Sequence, residues 1–336
     1  MKERKSLIFI MIMPFILFII TLFVGRYPIP IKEMGKVLIG PFINSNIENL
    51  EPYYTIVWEI RMPRAIASAL VGTALSISGV AFQSIFRNPL VNSGTLGVSS
   101  GAGFGAALAI ILFGQKSVPI YVLAFVFGII AVVLSYLFGR IYQSTHTIML
   151  ILGGVIVSSM FSSLVSFLKY VADPYNQLPA ITFWLMGSFA SVDYSKLLFS
   201  AIPMLIGIIG LVLFRWRINV LSIDDKEACT LGINIVLEKG LIVLFSTLAT
   251  AGAVCLSGTI GWVGLVVPHM GRRLVGTNNK VLVPACCGLG ASFLMTIDNV
   301  SRTITGGEVP IGILTSLIGG PFFIYILKKT KGGTWS

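Results

Sequence analysis

The 336-residue sequence is poor in charge and poorest in acid: 13 Asp and Glu against 24 Lys and Arg, so that 11% of the side chains are charged. A soluble domain carries about 25%, because its surface must be solvated. With 55% hydrophobic residues and a mean hydropathy of +0.91, the shortfall excludes a soluble enzyme, a nucleic-acid-binding domain and a disordered scaffold. The formal +11 is therefore no footprint for nucleic acid. Histidine is rarer still, at His146 and His269 only. The motif G-x-x-x-x-G-K-[ST] is missing, which excludes nucleotide binding through a P-loop. The four cysteines (Cys229, Cys255, Cys286, Cys287) form no metal-ligand spacing with histidine, and neighbours such as Cys286 and Cys287 diverge on a helix, against a disulfide framework. No Asp or Glu falls in the middle of an apolar run, where a proton-coupled carrier usually places one; Asp298 and Lys196 sit at run ends. No catalytic set, metal site or cofactor is expected in this chain. A transport path without its own energy source points to a subunit driven by a partner. A self-sufficient sodium-coupled carrier, binding its ion with backbone carbonyls at helix breaks, stays open at this point.

Long apolar runs are what the sequence does have. A helix needs about 20 mostly apolar residues to cross a bilayer. Candidates lie at 7–24, 64–83, 92–112, 118–139, 147–168, 196–214, 240–257, 259–275, 281–298 and 310–327, ten in all. The first follows Lys2, Arg4 and Lys5 and lacks a cleavage signal, so it reads as a retained helix. With ten spans and an inside N-terminus, inner segments hold 15 bases and 5 acids (+10), and outer ones 9 bases and 8 acids (+1). That asymmetry follows the positive-inside rule and puts both termini in the cytoplasm. The chain reads as one polytopic domain, 1–336. Within it lie an outer loop (25–60), an outer re-entrant or interfacial segment (169–195) and a charged inner segment (215–239). Stretches 65–108 and 241–294 resemble each other in opposite orientation, an inverted repeat of the kind that builds transport paths. Small residues recur at four-residue spacing (Gly97, Gly101, Gly105; Ala65, Ala69), which favours close helix packing.

Several motifs together carry a family resemblance. They are Arg61-Met62-Pro63-Arg64, Gly79 through Gln83, Arg87-Asn88-Pro89-Leu90, Leu96 through Ala102, Ala228 through Gly232, Gly258 through His269, Asp298 with Arg302, and Val309 through Gly312. In this order and spacing the chain resembles the FecCD-type permeases, membrane subunits of ABC importers for iron-siderophores, haem and cobalamin. The resemblance implies an all-α protein of type II importer-permease architecture, with ten transmembrane helices per subunit. It implies a second copy or a close paralogue, two cytoplasmic ATPase subunits that hold ATP and Mg, an extracytoplasmic substrate-binding protein, and a path between the two permeases. The implied docking residues are Arg61, Arg64 and Arg302, suited to carboxylates by their planar, permanently charged forks. The implied ATPase-coupling residues are Asp225, Ala228, Leu231 and Gly232. Gly153, Ser158, Leu314 and Thr315 are expected along the path. Iron(III)-siderophore is the default cargo, with cobalamin and haem as alternatives.

Overall fold

Inside a bilayer no water satisfies backbone polar groups, so a chain this apolar must close its hydrogen bonds within helices or a barrel. A computed structural model describes residues 2–43, 50–139, 147–223 and 225–329, and among these every element is a helix. Of the inner charges counted above, Arg140, Asp224 and Lys331 lie outside the described residues, as does His146. Fourteen helices follow in order: α1 (Lys2–Phe23), α2 (Ile31–Ile43), α3 (Glu51–Ile85), α4 (Val98–Phe113), α5 (Ser117–Gly139), α6 (Thr147–Val171), α7 (Gln177–Met186), α8 (Tyr194–Leu213), α9 (Arg215–Leu221), α10 (Asp225–Thr230), α11 (Ile235–Ser257), α12 (Val263–Val275), α13 (Asn279–Thr303) and α14 (Ile311–Lys329).

Each of the ten expected spans has a helix, but among the described residues seven are long and apolar enough to cross a membrane: α1, α3, α5, α6, α8, α11 and α13. Helices α4 and α14 offer shorter apolar stretches. Helix α12 has 13 residues, roughly 20 Å at 1.5 Å per residue, and cannot span alone. The chain unwinds across 258–262 instead of running into it, because Gly258 and Trp262 adopt positive φ (69° and 66°) that no helix accepts. The outer loop is also less of a loop than expected. It contains α2 and the first turns of α3, which pack around Ile29, Met34, Val37 and Val57.

Helices α3, α11 and α13 form the centre, with 72–78% of their spanning residues buried, while α1, α5, α6 and α8 ring them at 17–39%. Glycine permits the crossings. A Cβ at Gly79 of α3 would lie 2.0 Å from the Gly264 carbonyl oxygen of α12, and one at Gly72 would lie 2.2 Å from the Gly290 oxygen of α13. The two similar stretches of sequence thus pack on each other through backbone contact. Gly101 and Gly105 seat α4 on the Phe127 and Leu123 carbonyls of α5 in the same way.

Candidate functional site

Within α3 the backbone widens over Thr55–Arg61, where the Met62 N–H bonds Val57 O, five residues back. Pro63 has no N–H to continue the ladder to Trp58 O. The Tyr194 hydroxyl donates to that oxygen instead, at 2.5 Å. The widened turn ends on Arg61, and the three arginines expected to dock a partner gather at this end of the bundle. Arg61 donates to the carbonyls of Leu22, Phe23 and Tyr27 at 2.6–3.0 Å, closing the C-terminus of α1, where orphan carbonyls and the helix dipole favour a cation. Gly25 makes room for it: a Cβ there would stand 2.6 Å from the guanidinium. Arg64 forks onto Asp298 at 2.8–3.1 Å and reaches Glu308 at 2.8 Å. Arg302 lies 3.4 Å from the same Asp298 carboxylate and also bonds Asn299 and Thr21 O.

The three arginines expected to await a partner are therefore brought together, but not as free surface charges. Arg61, Arg64 and Arg302 are 3%, 4% and 6% exposed, and Asp298 is fully buried. They tie α1, α3, α13 and the turn before α14 into one corner at one end of the bundle. Asp298 and Glu308 were not assigned this role from sequence. The usable signal was the cost of burying a carboxylate near a membrane helix end, which demands a cationic partner.

The coupling residues divide. Gly232 ends its turn at φ 74° with nothing within 4 Å of a Cβ, and Leu231 is 59% exposed. Ala228 points inward and is fully buried, and Asp225 is held by Arg87 and Lys239, each at 2.8 Å. Of the four residues expected to couple, Leu231 and Gly232 are exposed, Asp225 is partly exposed and paired within the chain, and Ala228 is covered. A six-residue helix must bury one side to stay folded, and Ala228 is on that side.

The path residues are mostly covered. Gly153 is a packing glycine, its Cβ position 2.6 Å from Ser135 O of α5, and Ser158 is half-buried beside Gly97. Leu314 is 9% exposed and Thr315 is buried, its hydroxyl turned back onto Gly312 O. On α6 the exposed polar residues are Ser159, Ser162, Ser163 and Ser166, at spacing i, i+3, i+4, i+7 and hence on one stripe roughly 10 Å long. That period was legible in the sequence. On α14, Ile313, Ser316 and Leu317 line a cavity of about 640 Å³ together with Asn92, Ser99 and Thr259. No charged side chain lines it.

A helical bundle with this much exposed apolar surface, a hydroxyl stripe on one outer helix and an uncharged cavity beside it has the form of one half of a transport path. The comparisons with known proteins agree. The sequence matches the FecCD transport family over residues 12–329. The chain belongs to that family. It is 40% identical to the molybdate import system permease protein MolB of Haemophilus influenzae, over 94% of this chain and 93% of that protein. It is equally 40% identical to an iron chelatin transport system permease protein of Helicobacter pylori, over 94% and 96%. Among solved structures it matches an inward-facing metal-chelate type ABC transporter with a TM-score of 0.86 at 39% identity, covering 97% of this chain and 99% of that one. Other relatives bear the names of vitamin B12 and hemin permeases. This FecCD chain is thus a multi-pass membrane protein with the type II permease architecture, of a family of ABC permeases that work with ATPase subunits and a substrate-binding protein.

Proposed function

We propose that this FecCD permease conducts an iron(III) chelate of the siderophore class between two copies of itself, or between itself and a close paralogue, along the faces of α6 and α14. The serine stripe on α6 carries the reading. Four hydroxyls in register on a helix that the protomer leaves uncovered suit a wet conduit, and the absence of charge around the α14 cavity suits a cargo that must be released rather than held. Selectivity then rests with the binding protein. The outer end, with Arg26, Arg61, Arg64 and Arg302 against Asp298 and Glu308, carries surplus positive charge for an acidic partner. The end with α10 faces the cytoplasm, where Leu231 and Gly232 meet the ATPase, and both termini lie on that side of the cytoplasmic membrane.

A second reading, a tetrahedral oxyanion as cargo, is favoured by the equal similarity to the molybdate permease and by the hydroxyl and amide lining of the cavity. Reconstitution with the cognate ATPase and binding protein, followed by uptake of labelled iron-siderophore, molybdate, cobalamin and hemin, separates the cargoes. Transport of molybdate alone would overturn the chelate. The path is tested separately by a water-soluble maleimide, after replacement of the exposed Cys229, since Cys255 and Cys286 are buried and Cys287 is half-buried. Ser159→Cys and Ser163→Cys should label readily and Leu164→Cys, also exposed but off the stripe on the same helix, poorly; equal labelling would remove the stripe from the path.

A further inference from the structure

A second cavity, of about 710 Å³, opens at the opposite end of the bundle from Arg64, between the end of α3, the end of α12 and the start of α13. Its charged lining is Arg87, Arg272 and Arg273, joined by His269, and none of the residues around it is acidic. Arg87 is answered by Asp225 at 2.8 Å. Arg272 and Arg273 have no ion pair or hydrogen bond with any described residue. Arginines in the last turn of a helix commonly serve only its dipole, extended into water. Arg272 does not fit that description, being half-buried against the cavity wall. Two uncompensated guanidiniums in a polar concavity, with Asn278 and Asn279 opening α13 on its rim, make a receptor for an oxyanion, since arginine forks bind phosphate bidentately.

We propose that this cavity binds a phosphate-type anion through Arg272 and Arg273, a site separate from the transport path and independent of which cargo the permease carries. The anion comes either from an anionic lipid headgroup or from free phosphate. The cavity's remaining wall includes the Arg87-Asn88-Pro89 turn, which Arg87 connects to Asp225 and the coupling segment, so occupancy is positioned to be felt there.

The test uses the full chain in nanodiscs of zwitterionic lipid, titrated with inorganic phosphate, and in nanodiscs containing phosphatidylglycerol, with retained lipid read by native mass spectrometry. Arg272→Gln/Arg273→Gln should weaken phosphate binding or lipid retention at least tenfold. Lys280→Gln, which removes an exposed charge outside the cavity, should change either less than twofold. Thr277→Asp places a carboxylate in the lining without touching the arginines; it should also abolish binding and raise the unfolding temperature. Phosphate binding in zwitterionic discs identifies free phosphate as a ligand, and retention of phosphatidylglycerol that phosphate displaces identifies the headgroup. Equal losses in the double variant and Lys280→Gln would overturn the site, as would no binding of either ligand to the wild type. In the latter case an acidic segment of a partner remains the occupant to look for.

Discussion

Asp298 is the residue on which the arginine corner turns. It is fully buried, takes the fork of Arg64 and lies 3.4 Å from Arg302. Removing one partner of a buried ionic group strands the others, at a cost of about 3–5 kcal/mol. Asp298→Asn should lower the unfolding free energy of the purified permease by that order, whereas Glu308→Gln, whose side chain is 28% exposed, should cost clearly less. Chemical unfolding of both variants in one detergent checks the ranking. Arg61 offers a different comparison, because its acceptors are backbone carbonyls and not carboxylates. Arg61→Gln should loosen the end of α1, and its effect on binding-protein affinity has meaning only beside its unfolding curve. Sequence motifs found these arginines; they could not show that the guanidiniums face inward, because a helical wheel does not record which neighbouring helix arrives beside it.

At the scale of the element, proline and glycine set the shape. Pro63 leaves Trp58 O without its ladder partner, and Tyr194 supplies the missing donor from the start of α8. Tyr194→Phe should therefore destabilise by about 0.5–1.5 kcal/mol, the net worth of one solvent-accessible hydrogen bond. The glycines make a matched pair of predictions. Gly79→Ala forces a methyl within 2.0 Å of backbone at the α3–α12 crossing, and overpacking of this kind costs about 1–3 kcal/mol or more. Gly35→Ala in α2 meets nothing within 4 Å and should be neutral or stabilising by about 0.5–1 kcal/mol, from lower chain entropy. Thermal unfolding of both variants reads the contrast. Helix existence was legible from apolar runs, since hydropathy reports what must leave water. The break at Gly258 was legible too, between the runs 240–257 and 259–275, but its length was not: only the backbone at Trp262 shows the chain staying unwound until Val263.

For the whole molecule, exposure separates what the chain keeps for itself from what it offers. Leu231, on the exposed side of the turn after α10, supports no internal packing, so Leu231→Asp should leave the fold intact. In the reconstituted importer it should lose uptake while basal ATP hydrolysis by the partner persists; uptake at the wild-type rate would end the assignment of this turn to coupling. The same logic applies to α6, whose exposed apolar residues Ile156, Met160, Leu164 and Phe167 lie beside the serine stripe on the same helix. A face half oily and half hydroxylic fits a helix that meets lipid or a second copy on one side and water on the other.

The sequence by itself determined the class: too few charges to be soluble, enough apolar runs for a polytopic helical protein, no P-loop of its own, and motifs that fix the family. These are properties of composition and local order, and composition already states how much of a chain must avoid water. Tertiary structure decided the partners of each polar group. It turned the three arginines inward onto α1, Asp298 and Glu308, buried Ala228, paired Asp225 with Arg87 and Lys239, and covered Gly153 and Thr315 while leaving Ser159 and Ser316 exposed. Which side of a helix is covered depends on helices distant in the chain, and one sequence read along its length does not contain that contact.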